Sequence, residues 1–368
     1  MSNTSIKKDL LLGSLRFIET RLLIVLIGMI CYAILPQRGE IYQQKTIAQS
    51  SNIKNVWDNF DSQWYQRLAA EGYPNRQFTD DKQETWGYMP LYPILLRAFA
   101  WLFGGNLFYT GIAISNLCTL LGLFFIYKLA QKKFSSGLEI VTLMLTCTGS
   151  FYLSIVYTEG LFILLTGLVF YLTHQQKYGW ALIIAGLASV TRIQGCLLFI
   201  IPGIEILALH LRTWYKFIPA FLIAILPMVA LMVYLNATCA EPLAFIKIQH
   251  AWGSTQTYPL QGIVNLFTVK LTGSSLVNIM FWLMILGIVL LQYRKLPLSY
   301  TLFTLFYFLL STSNEIVYGT TRYMLGVLPL FIAVALSSNH LKQLFLIINL
   351  LFLGITIAAF VTVTPAFI

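Results

Sequence analysis

Long apolar stretches alternate with short polar ones along most of the chain. A membrane span needs about 20 mostly apolar residues, and somewhat fewer suffice at the short end. Eleven stretches fit: 21–36, 109–130, 137–154, 158–174, 178–191, 194–211, 217–236, 275–292, 297–313, 323–337 and 342–362. The intervals at Tyr157 and Arg192 leave room only for tight turns. Two other intervals, 37–108 and 237–274, are too long to be mere connections. Loops beyond about 12–15 residues usually carry function. The pattern predicts an all-α polytopic membrane protein, a single transmembrane domain over 1–368 with two functional loops. No internal repeat of the kind that builds inverted transporter halves stands out.

Composition agrees with that pattern. Hydrophobic residues make up 58% and charged residues 10% of the chain, against roughly 25% charged in a soluble domain. The net charge of +10 does not point to nucleic acid, because the basic residues cluster between apolar runs. The short loops KLAQKKF, HQQK, HLRTWYK, QYRK and NHLK are all basic and fall on one side if the N-terminus is cytoplasmic. Ten acids then fall on the other side: Glu40, Asp58, Asp61, Glu71, Asp80, Asp81, Glu84, Glu159, Glu241 and Glu315. The first apolar run reads as a retained span and not as a cleaved signal. The five cysteines lie in or beside apolar runs without CxxC spacing and read as packing residues. His174, His210, His250 and His340 are scattered, so neither a metal nor a cofactor is expected.

The first long loop holds IKNVWDNFDSQWYQRLAAEGY, residues 53–73, with apolar residues at helical spacing and a stop at Glu71-Gly72. One interfacial helix is expected there. At 100° per residue Trp57, Trp64, Tyr65 and Leu68 fall within about 60° of Asp61, which puts a carboxylate in the apolar stripe. Such a group is costly without a partner or a task; the plainer reading makes Asp61 the N-cap of a helix starting at Ser62. Asp58 is a second candidate, with a solvated helix-start acid as its plainer reading. TWGYMPLYPILLRAF, residues 85–99, predicts a second interfacial helix after Pro90, with Arg97 snorkelling.

Four more segments put polar residues at the same ends of the spans: Tyr157-Thr158-Glu159, Arg192, PLAFIKIQHAW at 242–252, and Arg322-Tyr323. Singly each is a common boundary charge; together they form a set on one face. Arginines at that depth suit a lipid phosphate, because guanidinium meets phosphate in a bidentate fork. Aromatic rings suit a sugar or the first isoprene units, and a carboxylate suits a general base. That chemistry is sugar transfer from a polyprenyl-phosphate donor to a lipid or glycan acceptor. No DxD motif lies on this side. A transporter or flippase of lipid-linked sugars is the alternative, and it would want polar residues at mid-bilayer, where these spans carry few.

At these residues the sequence resembles the PIG-V type mannosyltransferases, the GPI mannosyltransferase 2-like family, and its bacterial relatives. The pieces that carry the resemblance are FDSQWYQRLAAEGY, YMPLYPILLRAF, ISN at 114–116, YTEGLF at 157–162, TRIQG at 191–195, EPLAFIKIQHAW at 241–252 and TRYMLGVLPLF at 321–331, in order along the chain. The resemblance implies a GT-C fold, a polyprenyl- or dolichyl-phosphate mannose donor and transfer with inversion. It puts the family's acid at Asp61, four residues before Tyr65, with Trp57-Asp58 as a competing pair. This chain has Tyr88-Met89 where the family has two phenylalanines. The expected roles are Asp61, or Asp58, as base and Arg192 with Arg322 on the donor phosphate. Trp64, Tyr65, Tyr157, Glu159, Gln249, His250, Trp252 and Tyr323 would surround sugar and acceptor. The expected setting is a bacterial inner membrane, or the endoplasmic reticulum membrane of a eukaryote.

Overall fold

The computed structural model describes residues 3–36, 52–253, 257–268, 273–314, 317 and 319–364, all of it helix, turn and loop apart from one isolated bridge residue. Glu40 and Glu315 of the acidic set lie outside the described residues. Helix α1 spans Asn3–Ile34. The first long loop holds α2 (Ile53–Trp57), α3 (Asp61–Glu71) and α4 (Leu91–Phe99). The body follows as α5 (Leu107–Phe134), α6 (Gly137–Thr146), α7 (Glu159–His174), α8 (Tyr178–Ser189), α9 (Ile200–Leu209) and α10 (Ile218–Cys239). The second loop holds α11 (Ala244–Lys247) and α12 (Gln261–Thr268). The chain then forms α13 (Gly273–Leu291), α14 (Leu298–Ser311), α15 (Thr320–Tyr323), α16 (Leu328–Ala335) and α17 (Asn339–Val361).

Among the described residues four helical stretches are long and apolar enough to cross a bilayer, Lys8–Ile34, Leu107–Phe134, Trp214–Cys239 and Asn339–Val361, and seven shorter apolar helices accompany them. The chain is a multi-pass integral membrane protein. The expected span at 323–337 is instead three pieces: α15, a 3-10 turn at Met324–Gly326, and α16. Pro329 in the first turn of α16 fits a fresh helix start, and every residue of α16 is buried. A helix enclosed by protein need not match the thickness of lipid. The expected helix over 53–73 is also corrected, because residues 58–60 interrupt it. There Asn59 Nδ2 donates to Val56 O, Gln63 Nε2 donates to Asp58 O, and Phe60 turns left-handed at φ 53°. Short polar side chains compete with the helix for its own backbone.

The body rests on close approach between α5 and α7. A Cβ on Gly122 would lie 2.7 Å from Leu164 N, and one on Gly160 would lie 2.4 Å from Ser115 O. Small residues at these crossings let the backbones meet. Between α6 and α7 the chain leaves α-helix from Cys147 to Thr158, with a 3-10 turn at Ser150–Leu153. Its backbone groups find partners on three neighbours. Arg21 of α1 donates to Ser150 O at 2.6 Å, Thr119 and Asn116 of α5 donate to Leu153 O and Ser154 O, and Asn349 of α17 accepts from Thr148 N. Irregular backbone at membrane depth survives only when protein satisfies it in this way. That segment carries Tyr157 and leads into Glu159.

The crossing of α8 and α10 is tighter still, since a Cβ on Gly186 would sit 2.0 Å from Ala224 O. Gly186→Ala is expected to lower the thermal unfolding midpoint in detergent, by an overpacking cost of about 1–3 kcal/mol. Gly203→Ala on α9, where the new methyl meets nothing within 4 Å, should leave the midpoint unchanged or raise it.

Candidate functional site

Four charged residues, each at the edge of a structural element, meet in one chain of ion pairs. Glu159 is the first residue of α7, where the helix N-terminus favours a carboxylate. Arg192 follows α8 in extended backbone, φ −152° and ψ 145°. Arg322 lies in α15, a single turn that follows Gly319 at φ 60°. That turn presses against the irregular segment before α7: a Cβ on Gly149 would sit 2.2 Å from Thr321 O. Asp61 opens α3 directly after the left-handed Phe60, whose ring packs against Phe360 at 5.5 Å. A non-glycine residue at positive φ costs on the order of 1–3 kcal/mol, held by its surroundings. Here it aims Asp61 at the bundle, and Asp61 N donates to Tyr157 Oη at 3.2 Å.

Glu159 Oε1 accepts from both Arg192 Nη1 and Arg322 Nε. Arg322 Nη1 donates to Asp61 Oδ2 at 2.5 Å, and its Nη2 donates to Tyr65 Oη at 3.4 Å. Arg192 Nη1 also reaches Thr158 Oγ1 at 3.4 Å. Exposure is lowest at the shared carboxylate and rises from there to Asp61, with side chains 8% exposed at Arg192, 2% at Glu159, 13% at Arg322 and 27% at Asp61. The buried end is therefore anchored and the open end is the carboxylate. Rings flank both guanidinium groups: Arg322 lies 4.7 Å from the centroid of Tyr157, and Arg192 lies 5.2 Å from that of Tyr323.

Aromatic residues form one wall beside Asp61. Trp64 stacks on Tyr88 at 5.9 Å and 14°, and Trp252 meets both rings edge-on at 5.8 Å. Tyr65 packs edge-on to Tyr88, Tyr92 and Tyr157. Burial pushes the Tyr65 phenol up to about 12, with Arg322 pulling it down and Asp61 and Glu159 raising it. Burial and then the Asp61 charge push Tyr88 well above the ordinary phenol value. Both stay protonated hydrogen-bond donors at physiological pH. Gln249 Nε2 donates to Gly87 O at 3.3 Å and ties the second loop to the first.

The structure thus gathers Asp61, Trp64, Tyr65, Tyr157, Glu159, Arg192, Arg322 and Tyr323, with Gln249 and Trp252 closing the wall. Two expected members stand apart. His250 is 66% exposed, 3.9 Å from Asp80 Oδ2. Asp58 turns back on its own loop and accepts from Ser62 Oγ and Gln66 Nε2, each at 2.6 Å. Asp61 does not play the alternative N-cap part: it lies inside the first turn of α3, with Phe60 at the cap position, and its carboxylate goes to Arg322 and Tyr88. Sequence reasoning noted Tyr88 but gave it no role, and it passed over Tyr152; Tyr88 donates to Asp61 Oδ1 at 3.0 Å, and the Tyr152 ring lies 5.5 Å from Arg322. The signal for Tyr88 was its place in YMPLYP, two residues before the proline that starts α4. Among the described residues no three His, Cys, Asp or Glu side chains gather as metal ligands.

No protein-family model matches the chain, and no curated sequence relative matches it. In structure the chain is similar to the Archaeoglobus fulgidus oligosaccharyltransferase. Against the crystal form with zinc and sulfate the TM-score is 0.49 at 13% identity, covering 95% of this chain and 53% of that one. Against the form tethered to an acceptor peptide the TM-score is 0.42 at 12% identity, covering 95% and 55%. The chain spans about half the length of these structures.

The shared oxygen of Glu159 makes one substitution decisive for stability. Glu159→Gln leaves two buried guanidinium groups without their common counter-ion, and breaking a buried pair costs about 3–5 kcal/mol. The variant should unfold at a clearly lower temperature in detergent. An unchanged midpoint would mean that the arginines find other partners.

Proposed function

We propose that the chain is a membrane glycosyltransferase of the GT-C class, related in action to the PIG-V type mannosyltransferases. It would move a sugar from a polyprenyl-phosphate donor to a hydroxyl of a lipid or glycan. The observation that carries this reading is the ion chain from Arg192 through Glu159 and Arg322 to the open carboxylate of Asp61. Buried ion clusters seldom stabilise a fold more than apolar residues of the same volume do. Their presence beside an aromatic wall is accounted for by a substrate that needs both.

In this reading Arg192 and Arg322 take the charge that grows on the lipid phosphate as it leaves the sugar. Asp61 accepts the proton of the acceptor hydroxyl as that oxygen bonds to the sugar carbon. Attack from the face opposite the leaving phosphate inverts the configuration there. Glu159 holds the two arginines, and Trp64, Tyr65, Tyr157, Tyr323, Gln249 and Trp252 enclose the sugar. Mannose is the sugar that the sequence resemblance implies. The basic loops support a site on the outer face of the membrane, and the whole chain acts as one transmembrane domain.

Purified protein incubated with several polyprenyl-phosphate sugars and a membrane lipid extract, followed by mass spectrometry, tests the reading. A lipid product heavier by one hexose is expected, and absence of transfer from every donor contradicts it. A carboxylate cannot deprotonate an alcohol in the ground state, but taking the proton during bond formation contributes roughly 10²–10⁴-fold. Asp61→Asn keeps the shape and removes the basicity, so transfer should fall by about that factor with expression intact. Full activity in this variant would remove Asp61 from the mechanism.

A further inference from the structure

Tyr88 has no part in the steps above, yet it is the best-held side chain at the open end of the ion chain. Its ring is stacked by Trp64 and met edge-on by Tyr65 and Trp252. Its own carbonyl accepts from Tyr73 Oη at 2.5 Å, and its N–H donates to Thr85 O at 3.1 Å. The residue is 7% exposed. With ring and backbone both fixed, the hydroxyl has one place to go, and it donates to Asp61 Oδ1 at 3.0 Å.

The other oxygen of Asp61 is less secure. Arg322 has all three of its nitrogens engaged: Nε on Glu159, Nη1 on Asp61 and Nη2 on Tyr65 Oη. A fork onto a phosphate needs two of them. Nη1 and Nη2 each carry a second N–H, and a phosphate drawn to them competes with Asp61 Oδ2 for Nη1, so in this reading that pair opens. Asp61 then loses its partner on Oδ2 and keeps the one on Oδ1.

Resting on the function proposed above, we infer that Tyr88 is a positioning residue for Asp61. Its hydroxyl holds Oδ1 so that the freed Oδ2 faces the acceptor. In the step itself the acceptor oxygen bonds to the sugar carbon while its proton passes to Asp61 Oδ2. The bond from that carbon to the phosphate oxygen breaks, and its electron pair leaves with the lipid phosphate. Tyr88 neither gains nor loses a proton. Burial and the neighbouring carboxylate keep its phenol a donor throughout.

Tyr88→Phe keeps the ring and its packing and removes only the hydroxyl. With polyprenyl-phosphate mannose as the varied donor and a fixed amount of membrane lipid extract as acceptor, the maximal rate should fall about 10–100-fold. The donor KM should stay within about twofold of wild type, because the hydroxyl acts in the transition state and not on donor binding. Combined with Asp61→Asn, the second change should add nothing, because Tyr88 acts through the carboxylate. A wild-type maximal rate in Tyr88→Phe overturns the inference. So does a raised KM at unchanged maximal rate, which would make Tyr88 a substrate contact, or a double variant whose losses multiply. If Asp61→Asn alone transfers at the wild-type rate, or wild type transfers from no donor, the function proposed above fails and takes this inference with it.

Discussion

One carboxylate oxygen organises the site. Glu159 Oε1 accepts from two guanidinium groups that reach it from segments 130 residues apart, Arg192 after α8 and Arg322 in α15. All of the chain between them must be in place before the pair forms. Two positive groups drawn to one oxygen repel each other, and only a fully ionised acceptor in a low-dielectric setting holds them together. Without it, Arg192 is left with the long bond to Thr158 Oγ1, and Arg322 with Asp61 and Tyr65 Oη. With it, Arg322 has Nη1 left to reach Asp61, and the first loop is fastened to the bundle through that pair.

The backbone makes this possible through what it lacks. Gly160 follows Glu159 and lets α7 rest on Ser115 O, while Gly149 lets the turn carrying Arg322 rest on the irregular segment before α7. That segment is held by Arg21, Thr119, Asn116 and Asn349 from three helices. The site is therefore fixed to the most buried part of the protein at one end and is half open at the other. Such a gradient suits a group that must meet a substrate while its supports stay still.

Much of this was legible in the sequence, and the physical reasons for what was not are specific. Asp61, Glu159, Arg192 and Arg322 each interrupt an apolar run, and a shared side of the spans follows from counting helices and basic loops. Which carboxylate Arg322 takes was not legible, because it depends on the direction of α3. That direction is set by the left-handed turn at Phe60, a conformation no propensity assigns to phenylalanine. Tyr88 was assigned no role because the direction of its hydroxyl is set by three neighbouring rings that the sequence does not bring together. Gln249, His250 and Trp252 were grouped by their motif, yet they lie in a 3-10 turn, Ile248–Trp252. Positions three apart eclipse there, so Gln249 and Trp252 share a side and His250 points elsewhere. The expected span at 323–337 failed because apolar length reports a lipid-facing helix, and α16 is enclosed by protein on every side.

The central claim is that the arginines held by Glu159 receive a lipid phosphate. The most direct test is an electron cryomicroscopy structure of the protein bound to a polyprenyl phosphate. The account predicts phosphate oxygens within about 3 Å of the Arg192 and Arg322 guanidinium groups, with Asp61 released from Arg322 and still bonded to Tyr88. A phosphate seated elsewhere, with the Asp61–Arg322 pair closed as it is here, would contradict it.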